Sequence, residues 1–129
     1  MKFRISSTLS TTFSPALHAQ LLRYTEAKGM TRAKAIRRAI YELLDPAEPQ
    51  KKTKPPSLPL FTEVPKRTAA VAWTLPPKKP AHRKLLDDAC AAQNIPVAAF
   101  TRRAVYLYTI DYVSTDKKEA AESLADGWA

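Results

Sequence analysis

Residues Thr31 to Leu43 read TRAKAIRRAIYEL, and residues Ala98 to Ile110 read AAFTRRAVYLYTI. Both runs carry the frame Ala-x-x-x-Arg-Arg-Ala-x-Tyr, from Ala33 to Tyr41 and from Ala98 to Tyr106. Sliding the chain by 65 residues extends the match: Pro15 falls on Pro80, Ala16 on Ala81, Leu21 on Leu86 and Ala27 on Ala92. Nine identities result over the 31 ungapped positions 15–45, and Met30/Ile95 and Ile40/Val105 add like-for-like apolar matches. A fixed-period repeat of this kind decides the architecture before any local detail does. Residues 1–45 and 67–113 are therefore read as two copies of one unit.

Within the first unit, FRISSTL alternates. Phe3, Ile5 and Leu9 share one side with Ser7 as a flaw, and Arg4, Ser6 and Thr8 share the other. Period two predicts a half-buried strand. Ser14 then precedes Pro15, an N-cap followed by proline at the first helical position. Leu17, Leu21 and Tyr24 follow at helical spacing until Gly29. Thr31 can cap a second helix whose apolar stripe is Ile36, Ala39, Ile40 and Leu43, stopped by Asp45–Pro46.

The second unit repeats this order. AAVAWTL sets Ala69, Val71, Trp73 and Leu75 on one side of a strand. Lys79–Pro80 opens a helix with Leu85, Leu86, Ala89 and Ala92 expected inward, and Asn94 ends it as Gly29 does in the first unit. Pro96 starts a last helix with Phe100, Ala104, Leu107 and Tyr108 inward, expected to run past Val113.

Between the units, six of the 22 residues from Asp45 to Lys66 are proline. Proline removes backbone donors and fixes φ, so 46–66 reads as a semi-extended linker. At ~3.1 Å per residue it spans several tens of ångströms. Its Leu58, Leu60, Phe61 and Val64 are expected to pack back on the domain. A lone strand and two helices bury too little to stand alone. The two strands are therefore expected to pair antiparallel into one ribbon, with four helices covering its apolar face.

The order strand–helix–helix, the alternating KFRISSTL and above all GMTRAKAIRRAI resemble the ribbon-helix-helix DNA-binding proteins, the class of the Arc and methionine repressors. The resemblance covers residues 2–45 and, more weakly, 67–113. It departs from the pattern where Asn94 replaces the turn glycine, Pro96 replaces the capping threonine and the second strand lacks an outward basic residue. Members usually dimerise from two chains, so the resemblance implies a mainly α fold with a two-stranded antiparallel ribbon, a tandem pseudo-dimer in a single chain.

That resemblance implies a ribbon lying in the major groove of double-stranded DNA, a docking mode the groove admits. The base-reading side chains would be Arg4, Ser6 and Thr8 from the first unit and Ala70, Ala72 and Thr74 from the second. Arginine can bond guanine bidentately, serine and threonine adapt, and alanine can touch a thymine methyl. Phosphate contacts would come from Lys2 and from the starts of the second helices, through Met30, Thr31, Arg32, Ile95 and Val97. For Thr31 the plainer reading is capping alone. Arg38 and Arg103 border the apolar stripes and are expected to pair with carboxylates or to snorkel over the core edge rather than to touch DNA.

Charge agrees with an anionic partner. The net charge is +9, with eight Lys/Arg against three Asp/Glu in residues 1–45 and seven against three in 67–113. Only 114–129 is acidic, with two Lys/Arg against four Asp/Glu. This tail is expected to be helical or flexible and to offer a possible protein-partner surface. Such a field draws nucleic acid or an anionic membrane but dictates no fold. No apolar run is long enough for a bilayer, and the start has no long apolar stretch. One cysteine, Cys90, excludes an internal disulfide and suits a reducing compartment. A cytoplasmic, nucleoid- or plasmid-associated location is expected.

An enzyme finds little support. Only Gly29 and Gly127 are glycines, so no phosphate-cradling glycine loop exists. His18, His82 and Cys90 lack metal-ligand spacing, and the adjacent Asp87–Asp88 do not share a helix face. Cys90 and Trp73 read as core. No catalytic residue, metal or cofactor is expected. The expected function is a sequence-specific transcriptional regulator. A relaxosome accessory protein of conjugative DNA transfer and an antitoxin-like protein-interaction module remain as alternatives.

Overall fold

The computed structural model describes residues 8–44, 66–74 and 80–128. The elements in chain order are β1 (Thr8–Phe13), α1 (Pro15–Lys28), α2 (Arg32–Leu44), β2 (Ala69–Thr74), α3 (Pro80–Gln93), α4 (Val97–Tyr108), a 3-10 turn (Ile110–Tyr112) and α5 (Lys117–Trp128). The protein is mainly helical with one two-stranded antiparallel sheet. The register runs from Thr8 opposite Thr74 to Phe13 opposite Ala69.

Each helix boundary has a local cause. Ser14 caps α1, its Oγ accepting the Leu17 N–H at 3.2 Å, with Pro15 in the first turn. Gly29 ends α1 in the left-handed conformation at φ 64°, and Asn94 ends α3 the same way at φ 54°. In both turns the next amide reaches back five residues, Met30 N–H to the Thr25 carbonyl at 3.1 Å and Ile95 N–H to the Cys90 carbonyl at 3.0 Å. Asparagine is among the few side chains that adopt this conformation readily, so it substitutes for the glycine. Thr31 caps α2 by accepting the Lys34 N–H at 3.2 Å.

The core is one cluster drawn from both halves of the chain. Leu17, Leu21, Ile36, Ile40, Leu86 and Val105 are fully buried, together with Phe13, Trp73 and Phe100. Cys90 is buried as expected. The buried residues of α2 are Ala35, Ile36, Ala39 and Ile40, and their counterparts 65 positions on, Phe100, Thr101, Ala104 and Val105, are buried in α4. Helices α2 and α4 pack on each other, and each also packs on the strand of the other unit, α2 on β2 and α4 on β1.

Four expectations need correction. The first strand runs on beyond Leu9, its described part β1 covering Thr8–Phe13 with Leu9, Thr11 and Phe13 inward, while residues 3–7 of the expected strand lie outside the described residues. The inward Thr11 is accommodated because Trp73 Nε1 donates to its Oγ1 at 3.1 Å, so neither buried polar atom is orphaned. On α3, Leu85 and Ala92 are exposed, because the buried stripe is narrow and centred on Leu86 and Cys90, with Ala89 half-buried. Helix α4 stops at Tyr108, where the Thr109 hydroxyl bonds back to the Val105 carbonyl and a 3-10 turn follows. The linker residues Leu58, Leu60, Phe61 and Val64, with Leu75, lie outside the described residues.

The fourth correction concerns residues 114–129, expected as a helical or flexible tail. The helix is present as α5, Lys117–Trp128, but it is docked into the domain rather than free. Ser123, Ala125, Asp126 and Gly127 of α5 are buried, and α5 packs on α1 and α4. A Cβ on Gly127 would lie 2.7 Å from Tyr106 Cβ, so this close approach admits only glycine. The Ser123 hydroxyl donates to Gln20 Oε1, and Gln20 Nε2 donates to the Thr109 carbonyl at 3.2 Å and to Thr109 Oγ1 at 3.0 Å. Asp126 accepts the Ser14 N–H at 2.8 Å and pairs with Arg67 Nε at 2.6 Å. The Asp126 carboxylate is thus committed to internal pairing, and the buried face of α5 is not available to a partner.

Candidate nucleic-acid interface

Pleating divides the ribbon into two faces. Inward lie Leu9, Thr11 and Phe13 from β1 and Val71 and Trp73 from β2, all buried except the half-buried Leu9. Outward lie Ser10 and Thr12 from β1 and Ala70, Ala72 and Thr74 from β2, all exposed. The five outward side chains are short, uncharged and exposed, with only arginine tips from α4 and α2 reaching Thr12 and Thr74. Ser10 stands opposite Ala72 and Thr12 opposite Ala70, so each of these rungs sets a hydroxyl on β1 against a methyl on β2.

Of the expected base-reading residues, Ala70, Ala72 and Thr74 are together on this face. Thr8 is paired through its backbone with Thr74. Arg4 and Ser6, like Lys2, lie outside the described residues. Ser10 and Thr12 were missed. The signal for them is the alternation carried past Leu9 to the Ser14 cap, obscured by the polar Thr11 at an inward position.

Two arginines brace the ribbon, one from each unit, and each reaches the other unit's strand. Arg37 of α2 points Nη1 at the Thr74 carbonyl and hydroxyl, both at 3.5 Å. Arg102 of α4 donates Nε–H to the Thr12 carbonyl at 2.7 Å and Nη2–H to Thr12 Oγ1 at 3.3 Å. Arg102 is buried, and burial, then repulsion from Arg67, lowers its pKa from the usual guanidinium value, with Asp126 opposing the shift. The duplicated Arg–Arg pair therefore acts through its first member. Arg38 is exposed. Arg103 does snorkel, its guanidinium lying 4.4 Å from the Trp128 ring centroid, but its Nη1 bonds the Gln93 side-chain carbonyl at 3.1 Å rather than a carboxylate.

The expected phosphate-binding residues are corrected in part. The Met30 and Ile95 amides are already committed to the Thr25 and Cys90 carbonyls, because the left-handed turn folds them back on the preceding helix. Their side chains, and that of Val97, are half-buried against the core. Thr31 and Arg32 are exposed. Arg32 Nη1 sits 3.0 Å from His18 Nε2, linking the start of α2 to α1, and burial followed by the Arg32 charge lowers the His18 pKa. Helix α4 begins at Val97 with Pro96 as its N-cap and no side-chain cap hydrogen bond, so no side chain competes for its first-turn amides.

Among the described residues no group of His, Cys, Asp and Glu is arranged to hold a metal ion, and no helix is long and apolar enough to cross a membrane. Compared with protein-family models, curated proteins and solved structures, the chain matches none.

Proposed function

We propose that the chain is a sequence-specific binder of double-stranded DNA, acting as a transcriptional regulator. It is built as a pseudo-dimer of two ribbon-helix-helix units within one chain, with the two-stranded ribbon seated in the major groove. The observation that carries this reading is the outward ribbon face: Ser10, Thr12, Ala70, Ala72 and Thr74, all exposed and none bulky. The groove admits a two-stranded ribbon, and short side chains let its backbone approach the base edges. The net charge of +9 supplies the long-range attraction to phosphate.

The pseudo-dimer is supported by three correspondences: the α1 and α3 end turns, the buried stripes of α2 and α4, and the crossed arginines Arg37 and Arg102. Selection of bound sequences from random duplex DNA tests the reading. A single enriched sequence is expected, with log affinity falling against log salt by about 0.9 for each phosphate neutralised. Equal preference for single strands, or affinity insensitive to salt, would overturn it. In sedimentation the chain alone should run as a monomer, because both strands of the ribbon are already in it.

A further inference from the structure

We infer that the described outward face is a thymine reader: its two hydroxyl–methyl rungs each fit an A·T pair with adenine under β1 and thymine under β2. The inference rests on the proposed seating of the ribbon in the duplex. The rungs are Ser10 opposite Ala72 and Thr12 opposite Ala70. All four residues are exposed, so they are open to a docked duplex.

The chemistry of each rung is directional. Arg102 donates to Thr12 Oγ1 at 3.3 Å, and a guanidinium has no acceptor to offer in return. The Thr12 O–H therefore remains a donor for an outside acceptor. In the major groove an A·T pair shows the adenine N7 acceptor at one edge and the thymine methyl at the other. A hydroxyl donor meets the first and the Ala70 methyl meets the second. The same pair reversed sets hydroxyl against methyl, and a G·C pair has no methyl. Like-facing rungs lie roughly 6.8 Å apart along a strand. That is about two base-pair steps at a rise of ~3.4 Å. Two such pairs separated by one intervening pair are therefore expected in the target.

The test uses the full chain and the duplex recovered by selection, with thymines replaced one at a time by uracil, which removes only the methyl. Affinity should fall about fourfold at two positions two steps apart, the worth of one buried methyl group. Replacing either A·T pair by G·C should weaken binding further, and 5-methylcytosine in that G·C pair should restore part of the loss. Ala72→Ser should erase the thymine–uracil difference at one of the two positions and leave it at the other. Position 72 is exposed, so the variant keeps the fold. Tight duplex binding that is indifferent to uracil everywhere would overturn the inference and leave the proposed function standing. So would a thymine–uracil difference unchanged by both Ala70→Ser and Ala72→Ser. Failure to bind any duplex would overturn the proposed function, and this inference with it.

Discussion

Arg102 donates its Nε–H to the main-chain oxygen of Thr12 at 2.7 Å, across 90 residues of sequence. The bond ties the last helix of one unit to the strand of the other, close to the Ser14 cap where β1 gives way to α1. Its counterpart, Arg37 to Thr74, is longer at 3.5 Å and lies at the surface. The two contacts are alike in connectivity and unlike in burial, so they should differ in worth. A hydrogen bond from a charged donor contributes about 1.5–3 kcal/mol, whereas surface substitutions usually stay within about 0.5 kcal/mol. Arg102→Met should therefore destabilise the fold by ~2 kcal/mol, and Arg37→Met by well under 1 kcal/mol. Urea denaturation of both variants measures the difference, and equal midpoints would remove Arg102 from the role given to it.

Asp126 makes the second long tie. Its carboxylate is fully buried and takes both the Ser14 N–H and the Arg67 guanidinium. Asp126→Asn keeps the shape but removes the charge that offsets Arg67 and the nearby Arg102. Breaking a buried pair from one side costs about 3–5 kcal/mol, and the partial exposure of Arg67 places this case toward the lower end. A loss of ~3 kcal/mol in chemical denaturation is expected. A variant as stable as the parent would mean that α5 contributes packing alone.

These two ties mark where the sequence stops being legible. The helices could be read because their signals are local: Ser14–Pro15, Gly29 and Thr31 each act on a neighbour within a few residues. The outward residues of β2 could be read because Val71 and Trp73 alternate cleanly with alanines. The paired part of β1 could not, since Thr11 looks like an outward residue until Trp73, 62 positions away, supplies its hydrogen bond. The docking of α5 was hidden for the same reason. Asp126 and Gly127 look like parts of an acidic tail, and what makes them core is Ser14, 112 residues earlier, and the Tyr106 side chain. The arginine pairs were legible as a repeat. Which member of each pair turns inward was not, because adjacent helical residues differ by only about a quarter-turn.

His18 gives the fold a pH dependence of definite sign. Burial and the neighbouring Arg32 lower its pKa below the ordinary 6.5, so the folded state favours the neutral ring. Above that ordinary value both folded and unfolded chains carry a neutral ring, and the full contribution is present. As pH falls through 6.5 toward the lower folded value, the unfolded chain binds the proton first and stability is lost. His18→Gln should flatten that part of the stability curve relative to the parent protein. Denaturation midpoints at several pH values between about 5 and 8, the range where histidine titrates, measure it. Identical slopes in the two proteins would show that the ring is not held neutral by the fold.

The outward ribbon face can be tested by charge. Ala72 is exposed at the middle of that face, opposite Ser10, and Ala91 is exposed on α3, which packs on α2 and α4. A glutamate at either position lowers the net charge of +9 by the same amount, so the two variants share any long-range effect. They differ in what the carboxylate meets. In a ribbon seated in the groove, Ala72→Glu places a negative charge among base acceptors and between phosphate rows. Like charges brought together at an interface cost several kcal/mol, so binding to the selected duplex should fall by about two orders of magnitude or more. Ala91→Glu should change affinity only a few-fold, and by less as salt rises, because a distant surface charge is screened beyond roughly 10 Å at 0.1 M. Both positions are solvent-facing, so both variants should unfold close to the parent. If Ala72→Glu bound the duplex as well as Ala91→Glu does, the ribbon would not face the DNA. The exposed cations of α2, Arg32, Lys34 and Arg38, would then be the next surface to vary.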